Sequence, residues 1–477
     1  MNLDEIFEKD KKPEEIITLL KKKMVDVPEW EKLRRSYDPS RHKIVRDRKG
    51  RVDRQLQDGT IERASRIRIG LEKLLVSRMA GFTFTIPVKR VYPEAPSTMS
   101  QEKKDRRKQI IYAIEQVYKK ARVDKENIKR AKQFYSTCEI FTLWYTTESP
   151  NADYGFPSKY KFKCKTFSSL DGNTKLYPLF DDTGDMIAMS VEYSCTADNK
   201  TITYFETWTK DKHYKWSMND DSNWVEEKPK DISEYGKIPG VYMYRSEPIY
   251  TSDLDYIREN IEYKMSENSD TISDNSAPIL YTTGEITGME KRSDSKRVVQ
   301  CSSGGSVGYV TWDQGIDSVK YHVEQMFDVY FMLAQLPNIS SSKMMNMSNV
   351  SYESRQMLFA DAHMKVGEES GDWQEFLSRE FSLVKQFLKR ANKEWEDELD
   401  MIDCDHVITP FIQKDEKSRV EMLMRANGDK PLMSQKTSIQ HLDLTDDVDA
   451  ELAQIQKEEE ASLATSETNP FPMFTAQ

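Results

Sequence analysis

The sequence predicts an α+β chain organised around two long helices and the loop between them. Between Asp317 and Leu399, two apolar-striped helical patterns flank a polar, methionine-spotted run. That run reads Leu336-Pro337-Asn338-Ile339-Ser340-Ser341-Ser342-Lys343-Met344-Met345-Asn346-Met347-Ser348-Asn349-Val350. From Ile140 to about Ile249 the hydrophobic period drops to two, the spacing of half-buried strands. The segment before it is basic and mostly helical. No catalytic motif lies near the loop, and two rigid helices joined by a soft connection suit holding something rather than bond chemistry.

Bulk composition narrows the class. The 477 residues, 38% apolar and 31% charged, allow several domains and describe a wet chain with little core per residue. The formal charge of −10 argues against general nucleic-acid adhesion, which needs a basic surface to displace counterions. Cys138, Cys164, Cys195, Cys301 and Cys404 are an odd set without a C-x-x-C pair, so ordinary thiols of a reducing compartment are expected. The acidic start Met1-Asn2-Leu3-Asp4-Glu5 has no signal-like apolar core, and no run approaches about 18 apolar residues. Cytosol-like conditions and no membrane follow as expectations.

Residues 13–25 carry an amphipathic helix pattern (Ile16, Ile17, Leu19, Leu20, Met24), and 31–58 are strongly basic with little periodicity. Ile61, Ala64, Ile67, Leu71, Leu74, Leu75 and Met79 predict a helix ending at Gly81. Phe82-Thr83-Phe84-Thr85-Ile86 then predicts a strand stopped by Pro87, and 102–137 a basic helical stretch with two stripes. Strands are expected at 141–145, 186–193, 201–208 and 214–216, separated by turns too short for crossover helices, hence an antiparallel meander. Ser252 opens a helix with Asp255 in a capping-box position and a narrow stripe of Leu254, Ile257, Ile261 and Met265. Residues 276–316 form a Gly/Ser-rich insert with short strands. Asp317 starts a helix stopped by Pro337, a rod of roughly 30 Å. After the loop, Tyr352–Val366 is helical and Gly367–Gly371 breaks or kinks the helix. Trp373, Phe376, Leu377, Phe381, Val384, Leu388, Ala391 and Trp395 mark its continuation. A short strand at 405–412, helices at 416–426 and 445–460, and a disordered tail complete the reading.

Reactive chemistry is hard to place. Cys301–Gly308 is Gly-rich but lacks the Gly-Lys-Ser/Thr ending of a phosphate loop, so a turn between strands is expected. Asp181, Asp182 and Asp185 lack the spaced acids of a calcium loop and read as a hairpin turn. The six histidines show no metal spacing, and His322 reads as a core-edge or interface residue. No catalytic residue, metal or cofactor is nominated. The basic stretch 31–68 has two readings: a nucleic-acid contact, or a solvated face neutralising the acidic C-terminal half of a neighbour. Lys291, Arg292, Lys296 and Arg297 form a smaller basic cluster with the same two readings. Met344, Met345 and Met347 suit either a mobile loop or core packing.

The order of elements, with Arg41-His42-Lys43-Ile44, Gly236-Lys237-Ile238-Pro239-Gly240-Val241 and Ser434-Gln435-Lys436-Thr437, resembles the portal protein of tailed double-stranded-DNA bacteriophages, particularly the long-tailed-phage branch. The resemblance covers roughly residues 40–460. It implies a ring of about twelve copies at one capsid vertex, through which double-stranded DNA is packaged and ejected. The terminase large subunit, a head–tail adaptor and the major capsid and scaffolding proteins would be its partners, with assembly in the host cytoplasm. ATP hydrolysis would belong to the terminase.

Laid onto this chain, the resemblance implies a wing at 1–250, a stem helix at 251–275, a small α/β clip at 276–316 and a second stem helix at 317–336. A tunnel loop at 337–350, a kinked helix with the wing's return strand at 351–412, a short helical crown at 413–460 and a tail at 461–477 would follow. Asn338, Ser340, Ser341, Ser342, Lys343 and Asn346 would face DNA, with Lys343 the phosphate contact as the only charge from Pro337 to Val350. The basic cluster would sit in the clip. Ile257, Ile261, Val323, Phe327, Tyr330, Trp373 and Phe381 would pack the stem and kinked helix. Two other readings stay open: a metal-dependent enzyme using an acidic cluster, and a non-enzymatic scaffold or adaptor acting as monomer or dimer.

Overall fold

The computed structural model describes residues 3–8, 10–197, 200–219, 222–275, 279–283, 285–289, 299–310, 316–338, 357, 359–411, 420, 423–425, 434–442 and 448–467. The chain divides into two units, Met1–Lys343 with Phe359–Phe411, and Met344–Leu358 with Ile412–Gln477.

The first unit begins with α1 (Leu3–Ile6) and α2 (Pro13–Leu20), whose Ile6, Ile16, Ile17 and Leu20 cover Leu179, Phe205 and Trp216 of a sheet. That sheet is an antiparallel meander holding the strands expected at 186–193, 201–208 and 214–216, while 141–145 lies in another sheet: β6 (Lys175–Phe180), β7 (Met186–Ala197), β8 (Lys200–Thr209), β9 (Lys212–Met218) and β10 (Trp224–Asp231) pair in consecutive antiparallel order. The Asp181 turn is a plain hairpin connection, its carboxylate accepting from the Thr183 and Asp185 backbone N–H groups at 2.9 Å each. A second, three-stranded sheet orders β11 (Gly240–Tyr244), β4 (Glu139–Asn151) and β5 (Ser158–Phe167). It meets the meander through Phe141, Phe167, Met189, Val191 and Trp208. Glycine is required at 240, since a Cβ there would stand 2.9 Å from the Thr142 carbonyl oxygen and inside the Phe141 ring.

The other face of the three-stranded sheet joins the largest core. There α5 (Leu71–Phe84), α6 (Gln101–Ala121), α7 (Val123–Thr137) and a long helix, α10 (Ala360–Ala391), gather around Trp373. Here α3 is Trp30–Tyr37, α4 Lys43–Arg46, α8 Ser252–Asn275, α9 Ile316–Leu333 and α11 Glu396–Asp400. Phe84 and Phe134 meet the Trp373 ring edge-on at 4.8 and 5.5 Å. A fully buried ion pair, Arg130 to Glu380 at 2.9 Å, ties α7 to α10, and Trp144 Nε1–H donates to the same carboxylate at 2.8 Å.

Three expectations are corrected. First, Phe82–Ile86 is not a strand, because α5 runs through Gly81 to Phe84. Phe82, Thr83 and Phe84 are all buried, so alternation carries no information there, and Thr83 donates to Met79 O as a helical residue does. Second, residues 61–69 are not helical. Ile61–Glu62 (β2) pairs with Arg54–Gln55 (β1), and the next segment is bonded along α8. The Ser65, Ile67 and Ile69 N–H groups donate to Asp270 (2.8 Å), Ser266 (2.9 Å) and Glu262 (2.7 Å). Two extended residues advance about 6.6 Å and one four-residue helical step about 6 Å, so every second amide meets an acceptor.

The helical stretch 102–137, read with two stripes, is two helices, parted at Arg122, whose φ of 57° is left-handed. Third, of the expected break or kink at Gly367–Gly371, the break is absent, since α10 is continuous there. Val366 and Trp373 are buried on either side, and their burial outweighs the helix-propensity cost of about 1 kcal/mol per glycine. The strand expected at 405–412 is short: β16 (Asp405–Val407) pairs with β3 (Lys89–Val91). In the insert, β12 (Ile279–Thr282) pairs with β15 (Val307–Val310) and β13 (Ile286–Met289) with β14 (Val299–Cys301). The Gly-rich 302–306 is the turn between β14 and β15.

In the second unit α12 (Gln435–Leu442) packs against α13 (Val448–Glu467), joined by Lys436 to Asp449 at 2.6 Å. Helix α13 outruns its expected end at 460 into the supposed tail. The helix expected at 416–426 falls largely outside the described residues.

Candidate functional site

The helix pair α8–α9, packed against each other, carries the site. Helix α8 is amphipathic in an unusual way, since its buried stripe contains charge. Leu254 and Ile261 are buried, and so are Arg258, Glu262 and Ser266. Arg258 Nε donates to Glu72 of α5 at 2.7 Å, Nη1 to Glu262 at 3.0 Å and Nη2 to Asp255 at 3.3 Å. Burial pushes the Glu72 carboxyl up to about 8, with Arg258 opposing and Asp255 adding to the rise. Asp255, expected as part of a capping box, instead also accepts from Ser36 Oγ.

Glu262 is the hub. Its Oε1 meets His42 Nδ1 at 2.6 Å and accepts from the Ile69 N–H, while Oε2 holds Arg258. His42 Nε2 lies 2.8 Å from the Ser36 carbonyl, which only accepts, so that nitrogen carries hydrogen. Lys43 reaches Glu259 at 3.3 Å, Asp47 accepts from the Tyr263 hydroxyl at 2.5 Å, and Arg51 pairs with Asp270. Two cations of the basic stretch, Lys43 and Arg51, are thus spent on an acidic helix of their own chain. What results is a rod held on one flank by α3, α4 and 65–69 and on another by α9.

The residues expected to pack this region converge. Ile261, Tyr330, Trp373 and Phe381 are buried in one core, and Ile257, Val323 and Phe327 are half-buried against it. His322 is exposed on α9. Asn338 is half-buried, its side-chain N–H donating to Asp328 at 3.4 Å. Ser340, Ser341, Ser342, Lys343, Asn346 and the basic Lys291, Arg292, Lys296 and Arg297 lie outside the described residues, as do Met344, Met345 and Met347. Among the described residues no group of three or more His, Cys, Asp or Glu side chains could hold a metal ion. Among the described residues no helix is long and apolar enough to cross a membrane.

A family model described as phage portal protein, SPP1 Gp6-like, matches residues 18–463. The chain belongs to that phage portal family. No curated protein matches it. The portal family is structural rather than enzymatic and serves DNA packaging at the capsid.

Sequence reading missed several residues of this portal subunit: His42, Glu72 and Glu262, and also Arg78 and Lys365 at the end of α9. One signal was present. Leu254, Arg258, Ile261, Glu262, Met265 and Ser266 all fall at three- and four-residue steps, so charge interrupted the stripe where apolar residues were expected. Glu72, Arg78 and Lys365 gave no signal, because their partners are distant in sequence.

Proposed function

We propose that this portal subunit assembles into a ring of about twelve copies at one capsid vertex, with double-stranded DNA entering and leaving through its centre. Helices α8 and α9 form the stem, 276–316 the clip that meets the terminase large subunit and later the head–tail adaptor, and 337–350 the tunnel loop. The early helices and both sheets make the wing, with 413–460 as crown, and assembly takes place in the host cytoplasm beside the major capsid and scaffolding proteins.

The observation that carries the reading is the order helix, insert, helix and, further along, long helix within a chain of this family. Exposed apolar residues on the two stem helices support it: Tyr256, Tyr321, Val329, Met332 and Leu333 face solvent in the isolated chain. Such a stripe suits a surface that neighbouring copies cover. Charge supports it too. Copies of −10 each sum to roughly −120 in a ring of about twelve, an acidic wall that repels the duplex while a few loop residues touch phosphates weakly.

Light scattering with negative-stain imaging of the purified protein tests the assembly. Rings of about twelve or thirteen subunits with a central hole are expected, and a compact stable dimer would overturn the reading. Lys343→Ala should leave rings intact and alter packaging or retention of DNA; loss of the ring would move Lys343 to an interface. Deleting 284–305 should spare the ring and abolish motor or adaptor docking, so normal packaging by that deletion would remove the clip assignment.

A further inference from the structure

Helix α9 ends without a glycine. Gln335 takes a left-handed φ of 54°, its N–H donating to Met332 O at 3.1 Å, and the Leu336 N–H reaches back to Phe331 O at 3.2 Å. This is the reversed-turn ending that glycine ordinarily serves, here in a residue that meets steric strain and must be held by its surroundings. Phe331 and Leu336, which the turn brings together, are both buried. Two cations from separate helices hold the turn. Lys365 Nζ of α10 donates to the Ala334 carbonyl at 2.8 Å, and Arg78 Nη1 of α5 donates to the Pro337 carbonyl at 2.9 Å. The Arg78 guanidinium also lies 4.9 Å from the centre of the Phe331 ring.

Neither placement is that of an ordinary surface cation. Burial lowers the pKa of both groups. The carboxylate one turn beyond Lys365, Glu369, accepts at both oxygens from Arg245 Nη1, at 2.9 and 3.0 Å. Lys365 is thus directed at a helix C-terminus, where orphan carbonyls and the negative end of the dipole favour a positive charge.

We infer that Arg78 and Lys365 are positioning residues, which fix the point and direction at which the chain leaves α9 for the loop after Pro337. The inference rests on the reading of 337–350 as the DNA-facing loop and adds the residues that aim it. Anchoring from α5 and α10 together ties the loop root to the core around Trp373 rather than to the stem alone. A shift of α10 would then be passed to the root through Lys365.

The test uses assembled full-length rings carrying Arg78→Gln or Lys365→Met, with Lys365→Arg and Arg78→Lys as conservative variants. Hydrogen exchange is read at the Ala334, Gln335 and Leu336 amides, and DNA packaging and retention are measured beside Lys343→Ala. The expected result is exchange faster by roughly tenfold or more at those amides, the factor carried by a lost charge-assisted bond. Rings should stay intact, packaging should be impaired, and the conservative variants should recover both readouts. Unchanged exchange would overturn the clamp. Faster exchange with normal packaging, while Lys343→Ala impairs it, would overturn the positioning role. If neither the clamp variants nor Lys343→Ala affects packaging, the DNA-facing reading of the loop fails and the clamp stands. If Arg78→Gln or Lys365→Met prevents assembly, the conservative variants decide: with ring and packaging retained and the three amides still protected they support the clamp, and with those amides exchanging fast and packaging normal they overturn the positioning role.

Discussion

Replacing Arg258 with methionine removes the cation from the most heavily charged part of the core. The arginine is 2% exposed and bonds Glu72 and Glu262, both 0% exposed, together with the part-exposed Asp255. Methionine fills much of the volume but leaves two buried carboxylates facing each other, with only His42 and the Ile69 N–H to compensate at Glu262. Breaking a buried pair by removing one partner costs about 3–5 kcal/mol.

The loss depends on pH, and the sign follows from Glu72. Its folded pKa, pushed up to about 8, lies above the ordinary 4.5. Between those values the folded chain holds a proton that the unfolded chain has released, so this group's contribution to stability falls as pH rises through the window. Without Arg258 the carboxyl moves further up, so the variant keeps losing stability at pH values where the wild type has levelled off. Denaturant unfolding at fixed subunit concentration, at about pH 5 and about pH 9, should give a deficit of about 3–5 kcal/mol at the higher pH and a smaller one at the lower. A deficit under about 1 kcal/mol at the higher pH, or a larger one in acid, would refute the assignment of charge to this cluster.

Further outcomes can be measured independently. Glu72→Gln keeps the shape and removes the titration, so the decline in stability from about pH 5 to 9 should flatten, as denaturation across that range would show. Ser266→Ala removes the acceptor of the Ile67 N–H; about 1 kcal/mol of stability should go, with faster exchange at that amide alone. Gly240→Ala drives a methyl into the Phe141 ring and should cost about 1–3 kcal/mol, visible as a lowered unfolding midpoint. Glu380→Leu leaves Arg130 buried without its carboxylate and should cost about 3–5 kcal/mol by the same measurement.

Periodicity served well wherever one face was buried and the other wet. The strands at 186–193, 201–208 and 214–216, the stripe of α10 from Trp373 to Leu388 and the start of α8 at Ser252 were legible for that reason. It failed where burial was complete, as at Phe82–Phe84, and where a distant partner took the backbone, as in 65–69. Glycines at 367 and 371 argued for a break that flanking buried side chains overrode. Of the candidate site, the apolar packing residues could be named in advance; the charged ones could not.

By itself, the sequence determined the α+β class of this portal subunit and the place of its most regularly striped helices and strands, because apolar spacing and turn residues act over a few neighbours. Only the tertiary structure decided that Lys43 and Arg51 pair with an acidic helix of their own chain, that Glu262 joins three segments, and that Arg78 and Lys365 meet at the end of α9. Those contacts join residues up to 259 positions apart. A charge shows in sequence that it needs a partner or water, and only the folded chain selects which.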